Sequence, residues 1–406
     1  MTIWLINHYA VTPGHPGGTR HYDLARELTA HGHDVTVIAS SFHYAALTET
    51  KRYGAGETFQ VEMLDGIRFV WVKTAPYRGN GIGRVRSMFE FTWKLRRLRS
   101  LDLPPPEVVV GSSVHLFAVY GAYRLARSLR VPFVMEVRDI WPQTLVDMGV
   151  PWWHPFVLLL SVLEPFLYRR AVRIITLLPR AAEHIAAFGV PKEKVYWVSN
   201  GVDVRPFVSV QRSHLLDPGK FNVLYAGTMG KANNLEPLMA AAALLTGTRD
   251  IHVTLVGSGP LKEAFARQAE GLANVTVLDA VPKEAVAPLL AEADLLYVGL
   301  KDLPLYRYGQ SMNKVFDYMA AGRPVVFAAA VPENPVEKAG SGLIVRPENP
   351  DAIANAILTL YNYTPSERSA MAAKGETYVR SHFGMDVIAE AFESVLKEAI
   401  DEYKTD

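Results

Sequence analysis

The residues from Tyr308 to Val326, YGQSMNKVFDYMAAGRPVV, set four polar side chains at the start of a helical pattern: Ser311, Asn313, Lys314 and Asp317. Ser311 has the chemistry of an N-cap, Asn313 and Asp317 are four apart on one helix face, and Lys314 lies three before Asp317. The free N–H groups of a helix start, with a lysine in the first turn, attract an anion. Gly322 suits the C-cap, Pro324 ends the helix, and Val325-Val326-Phe327 reads as a strand covered on both faces. Two glycine turns add similar chemistry. Gly227 precedes Thr228-Met229-Gly230-Lys231, and Val256 precedes Gly257-Ser258-Gly259; each turn joins an apolar strand to a helix at a sheet's C-terminal edge. Lys231 is a compact charge suited to a phosphate, or else a solvated surface lysine. Gly17-Gly18 stand before a helix containing Leu24 and Leu28, either to let backbone amides approach a phosphate or simply to join strand and helix. That loop lacks G-x-G-x-x-G spacing, and no acidic residue ends the second strand to hold a ribose, so NAD and FAD are not expected.

Such turns work only where a sheet presents them. Short β-rich runs recur around 2–6, 34–39, 67–72, 107–111, 132–136, 172–176 and 194–198, with helical segments between them. A second series follows at 221–227, 251–256, 274–278, 294–299, 324–328 and 342–346. The alternation predicts α/β architecture: two doubly wound parallel-sheet domains whose binding loops face each other across a cleft. The stretch 200–220, with Pro206 and Pro218 and no periodicity, reads as the connection. This gives a first domain over 1–205, a second over 206–385, and a helix over 386–406 that completes the second domain or crosses back to the first. The 406 residues carry a formal net charge of +1, which points away from nucleic acid. The halves differ: residues 1–200 hold 23 Lys and Arg against 16 Asp and Glu, the remainder 19 against 25. There is no cysteine, hence no thiolate catalysis and no Cys-based zinc site. The chain starts on the strand-like Ile3-Trp4-Leu5-Ile6, which predicts no signal peptide, and the apolar run 156–163 is too short to span a bilayer. The expected location is cytoplasmic.

Taken together, GTMGK, GSGP and MNKVFDYMAAGRPVV resemble the C-terminal domain of retaining glycosyltransferases of the GT-B architecture, family 4-like. HPGGTRHYDLARELTAHGHDVTVIAS, GSSVHLF, MEVRDIWPQTLVDMG and SNGVD are similar to a subgroup that moves amino or deoxy sugars onto lipid-linked acceptors in lipopolysaccharide O-antigen or capsule assembly. The resemblance covers essentially the whole chain. It implies two Rossmann-like domains and a sugar nucleotide, UDP-linked by preference, held by Gly227, Thr228, Lys231, Gly257, Ser311, Asn313 and Lys314, with the ribose near Asp317. Gly17 and Gly18 then close over the phosphates. His115, in GSSVHLF, stands where the family has a histidine on the donor sugar; a buried structural histidine is the alternative. Lys231 and Asp317 complete the expected catalytic set. Glu136, Arg138 and Asp139, ending the fifth strand, either orient the acceptor or pair with one another. The chain departs from the family where two glutamates are usual, reading Gly309 and Asp317, and where Arg and Lys are usual, reading Thr228 and Asn233.

Breaking the bond from anomeric carbon to phosphate leaves an oxocarbenium-like sugar and a diphosphate gaining charge, which amides, a helix start and lysines stabilise. No Asp-x-Asp occurs to hold Mg²⁺, so no metal and no cofactor are expected. Residues 78–99 contain seven basic residues and one acidic, interleaved with apolar ones, and 151–170 opens on Pro-Trp-Trp. Arg86, Phe89, Trp93, Arg96, Arg97, Trp152 and Trp153 are accordingly expected at a peripheral contact with an anionic membrane, against the alternative of core helices. The rival functions are a sugar-nucleotide epimerase on the same scaffold and a two-lobed sugar-binding protein without catalysis.

Overall fold

A computed structural model describes residues 1–406 except 16, 80, 114, 209–212 and 406. Pro16 of the glycine loop, Asn80 of the basic stretch, Val114 of GSSVHLF and 209–212 of the connection thus lie outside the described residues. The chain forms two units, Met1–Asn200 with Met385–Asp406, and Gly201–Gly384. The division falls at Asn200, before the position near 205 read from the proline spacing, and the last helix belongs to the first unit.

In the first unit the strands are β1 (Thr2–Ile6), β2 (Asp34–Ser40), β3 (Phe42–His43), β4 (Thr48–Glu49), β5 (Phe59–Leu64), β6 (Ile67–Val72), β7 (Val108–Ser112), β8 (Phe133–Val137), β9 (Arg173–Thr176) and β10 (Val195–Trp197). Eight of them make one sheet in the order β10-β9-β8-β7-β1-β2-β6-β5. The central strands β1, β7 and β8, TIWLI, VVVGS and FVMEV, are mostly apolar on both faces because helices cover both. The parallel sheet carries one antiparallel edge: β5 runs antiparallel to β6 in a hairpin turned by Asp65 and Gly66, both at positive φ, and β3 and β4 form a separate ribbon. Helix Arg20–Ala30 buries Leu24, Ala25 and Leu28, the apolar stripe of an amphipathic helix. Helix Leu116–Leu129 lies so close to β7 that a Cβ on Gly111 would sit 2.7 Å from that of Ala122. The final helix, Met385–Thr405, packs on helix Arg20–Ala30 and on β9. Glu393 on it accepts from His31 (2.8 Å) and lies within ion-pair distance of His33 (3.0 Å) and Lys397 (2.5 Å), and Arg173 pairs with Glu398 and Glu402.

In the second unit β11 (Phe221–Ala226), β12 (Ile251–Val256), β13 (Val275–Leu278), β14 (Leu295–Gly299), β15 (Val325–Ala328) and β16 (Gly342–Val345) form a parallel sheet in the order β13-β12-β11-β14-β15-β16. The order reverses between β11 and β14, and such a switch point leaves a crevice at the strands' C-terminal ends. Tyr225, Tyr297, Leu255 and Val326 are fully buried in its core. Helix Asn313–Ala320 follows β14 and ends at Gly322, which adopts φ +62 as a C-cap glycine does.

Candidate functional site

At the switch point of the second unit, the turns after β11 and β12 are zipped together. Gly227 N donates to Val256 O (2.9 Å) and Met229 N to Ser258 O (2.7 Å). Gly227 and Gly257 stand at φ +149 and +155, and a Cβ on Gly257 would fall 1.9 Å from Gly227 O. Only glycine allows this approach. Lys314 then reaches the first turn from its helix: Nζ donates to Tyr225 Oη and Asn233 Oδ1, both at 2.8 Å, and lies 4.4 Å from the centre of the Tyr225 ring. Burial pushes the Lys314 ammonium down to about 8. Tyr225 in turn donates to Thr228 O (2.6 Å), and Tyr318 Oη bonds both N and O of Ala226, fixing the strand end that carries Gly227. The structure therefore brings Gly227, Thr228, Gly257 and Lys314 together. Lys231 is exposed in the short turn Lys231–Asn233, Asn313 is exposed at the helix start, and Asp317 is half-buried one turn later.

The capping expectation is corrected. Met312, not Ser311, holds the N-cap position, and no side chain caps it. Instead Gln310 Oε1 accepts from Met312 N at 2.5 Å, while its Nε2, on a residue only 8% exposed, has no hydrogen-bond partner among the described residues. Gln310 and Tyr225 were not singled out from sequence, and Asn233 only as a departure from the family pattern. Gln310 stands three before Asn313, and its polarity beside a helix start was the available signal; Tyr225 looked like one more apolar strand residue.

In the first unit, Gly17 is exposed at φ +134, where a Cβ would meet Tyr44 Oη at 2.8 Å, and Gly18 is half-buried. Glu136 ends β8 fully buried, and its carboxylate takes three hydrogen bonds: Arg20 Nε (2.9 Å), His21 Nε2 (2.9 Å) and Ser112 Oγ (2.5 Å). Burial alone would raise its carboxyl, but Arg20 and His21 outweigh that and hold it well below the ordinary value. Arg20 also donates to Ser199 O (2.5 Å) and Val198 O (3.1 Å). The network pins helix Arg20–Ala30, just beyond the glycine loop, to the ends of β8 and β10. Of the three residues expected at the acceptor, Glu136 is thus committed to the fold. Its partners are Arg20 and His21, not Arg138. Arg138 is half-buried, with its backbone N on Ser113 Oγ (2.9 Å), and Asp139 is exposed.

His115 is fully buried at the N-cap of helix Leu116–Leu129, where Nδ1 accepts from Ala118 N (3.2 Å) and Nε2 lies 2.8 Å from His8 Nδ1. Burial, with Arg84 adding to it, pushes the His115 imidazole down to about 3. His8 lines a narrow cavity with Tyr9, Thr12, His15, His43 and Tyr44. Sequence reasoning did not find this cavity. Among the described residues no three of His, Asp and Glu come together as a metal site, and no helix is long and apolar enough to cross a membrane. Phe89, Trp93, Trp152 and Trp153 are exposed, as are Arg86, Arg96 and Arg97.

Residues 17–201 match the family model described as Glycosyl transferase 4-like domain, and residues 220–363 match Glycosyl transferases group 1. Fold and matches agree: the chain has the GT-B fold, its first unit matching a glycosyl transferase 4-like domain and its second unit glycosyl transferases group 1. More particularly, it is 27% identical over 180 residues to a GDP-mannose-dependent alpha-(1-6)-phosphatidylinositol dimannoside mannosyltransferase of Mycobacterium tuberculosis, across 43% of this chain and 45% of the relative. The aligned region spans less than half of that relative's length. Among solved structures, sucrose-phosphate synthase from Thermosynechococcus elongatus superimposes with a TM-score of 0.78 at 17% identity, covering 99% of each chain. HepE of Anabaena, solved in complex with UDP-glucose, gives a TM-score of 0.67 at 17% identity, covering 98% of this chain and 100% of HepE. At these identities the likeness is one of fold.

Proposed function

We propose that this protein transfers an N-acetylated amino or deoxy sugar from a nucleotide diphosphate, with UDP preferred, to a lipid-linked saccharide, with retention at the anomeric carbon. The observation that carries the reading is the desolvated Lys314 ammonium held against the Gly227 turn at the start of helix Asn313–Ala320. A helix start and a cation converge there, as an anion requires. The diphosphate lies along the Gly227 and Gly257 turns, with Thr228, Ser311 and Asn313 beside it, Lys231 at its outer side and Asp317 toward the ribose. Gly17 and Gly18 serve the phosphates, and Arg138 and Asp139 serve the acceptor.

The acceptor hydroxyl oxygen bonds to the anomeric carbon as the bond to the β-phosphate oxygen breaks, and the hydroxyl proton leaves with that phosphate. Negative charge grows on the diphosphate, where Lys314 and the helix start stabilise it without reorganising. This scheme needs no metal. Transfer is expected to proceed at an unchanged rate in EDTA; loss of activity restored by Mg²⁺ would count against it.

The bound UDP-glucose of HepE favours UDP, and the GDP-mannose of the mycobacterial relative favours GDP. A thermal-shift comparison of UDP-, GDP- and dTDP-sugars decides between them, because a ligand of the folded state alone raises its stability. Nucleotide released only when an acceptor is added separates transfer from epimerisation. Binding without turnover across donors and acceptors would sink the enzymatic reading.

A further inference from the structure

The hydrogen bonds around His115 fix the proton positions of two histidines. His115 Nδ1 accepts the Ala118 N–H, and a nitrogen that accepts an N–H carries no proton of its own. Neutral His115 therefore bears its proton on Nε2, which lies 2.8 Å from His8 Nδ1 and donates to it. By the same logic neutral His8 bears its proton on Nε2. Burial keeps both imidazoles neutral, and Arg84 adds to the effect in each.

That last N–H has nowhere to go. His8 is 2% exposed, and its Nε2 has no hydrogen-bond partner among the described residues. The ring cannot turn to find one. It is stacked between Tyr9 (centroids 4.4 Å apart) and Phe91 (4.5 Å), with His115 holding Nδ1. A locked donor without an acceptor is costly in a folded protein and marks a place where something else supplies the oxygen. His8 borders the narrow cavity shared with Thr12 and Tyr44, which has room for a substituent rather than a whole sugar ring.

We propose that His8 Nε2–H donates to an exocyclic oxygen, hydroxyl or N-acyl carbonyl, of the acceptor saccharide, and that His115 is the positioning residue that holds His8 in the tautomer able to do so. This rests on the glycosyl transfer proposed above. It moves substrate recognition in the first unit from His115, whose two nitrogens are both engaged, to His8.

The test has two arms on the full chain. Nitrogen-15 spectra of the imidazoles read the tautomer without any substrate: His8 is expected as the Nε2–H form, with His115→Ala releasing it to a mixture, and an Nδ1–H form in the wild type overturns the inference. For the second arm, His8→Phe keeps the stack and deletes the donor. With octyl glycosides of hexoses and N-acetylhexosamines as acceptors, it is expected to lower acceptor kcat/KM by roughly 5- to 30-fold and leave the UDP-induced thermal shift unchanged. Deoxy versions of those glycosides, assayed with wild-type enzyme, supply the same reading if His8→Phe does not fold. Wild-type acceptor kinetics in the variant, a rise in the KM of the sugar nucleotide instead, or a crystallographic water retained on Nε2 in the acceptor complex would each overturn it. Absence of transfer by wild-type enzyme with every sugar nucleotide would defeat the functional reading, while the tautomer measurement still judges the imidazole pair.

Discussion

At the scale of single residues, Lys314 carries two opposed effects. Desolvation moves its ammonium from 10.5 to about 8, so the folded, ligand-free protein is penalised for holding the charge. The penalty is fully present below pH 8 and is relieved as pH rises from about 8 toward 10.5, because there the unfolded chain binds the proton and the folded one does not. Binding of a diphosphate runs the other way, since it needs the charge. Affinity for UDP in calorimetric titrations is therefore expected to weaken as pH rises through 8, while ligand-free stability climbs. Lys314→Met is expected to raise the ligand-free melting temperature and to lower kcat by about 10²- to 10³-fold, the usual cost of one lost charge-stabilising group. A variant that melts lower and turns over normally would remove Lys314 from the site. Its place in a helix start was legible from YGQSMNKVFDYM, but its partners Tyr225 and Asn233 are 89 and 81 residues away in sequence. Local spacing has no access to such pairs, and the His8–His115 contact, at a separation of 107, escaped for the same reason.

At the scale of elements, the glycine turns and the Glu136 network are what hold the proposed binding residues in register. A methyl on Gly257 would meet the Gly227 carbonyl, which is backbone and cannot swing aside. Gly257→Ala is expected to destabilise the second unit by about 3 kcal/mol or more in urea denaturation, beyond the ordinary range of point substitutions. Glu136→Gln leaves the buried Arg20 guanidinium without its counter-charge and is expected to cost about 3–5 kcal/mol. Near-wild-type stability with a selective rise in acceptor KM would return Glu136 to a binding role. The strands that flank these residues were readable because they are buried on both faces and hence apolar throughout. β5 was not: FQVEML places exposed Gln60 and half-buried Glu62 among its apolar residues at the sheet edge, so apolar continuity is missing. The Asp65-Gly66 pair between two such runs is the hairpin signal that would have found it. The sharing of Glu136 by Arg20 and His21 could not be read at all, since those residues precede it by 116 and 115 positions.

At the scale of the whole molecule, the basic excess of the first 200 residues coincides with exposed aromatic side chains in the first unit. Trp93, Trp152 and Trp153 are 60%, 66% and 63% exposed, and Val162 lies open on helix Pro155–Arg170 beside the Arg169-Arg170 pair. Phe89, Phe117 and Phe156 form a continuous row of ring contacts from helix Ile82–Leu95, through helix Leu116–Leu129, to helix Pro155–Arg170, so the two exposed surfaces are joined by one aromatic seam. The Arg96 guanidinium stacks 3.3 Å from the centre of the Trp93 ring, keeping charge and ring together at the surface. Arg86 is partly spent on Glu90 at 3.0 Å, which leaves Arg96 and Arg97 as the stronger contributors to an anionic surface. A peripheral membrane contact is a proposal that these residues support: a headgroup layer would receive both the rings and the arginines. Sedimentation with liposomes containing anionic lipid is expected to carry the protein down at low salt and release it at high salt. Replacing Arg96 and Arg97 by Gln is expected to weaken partitioning by about 10- to 100-fold, at about 1 kcal/mol for each charge lost near the surface. Trp152→Ser with Trp153→Ser tests the apolar half separately: it should reduce binding at low salt although every arginine is retained. Equal sedimentation with neutral and anionic vesicles, or with no vesicles at all, would end the case for a membrane-facing first unit.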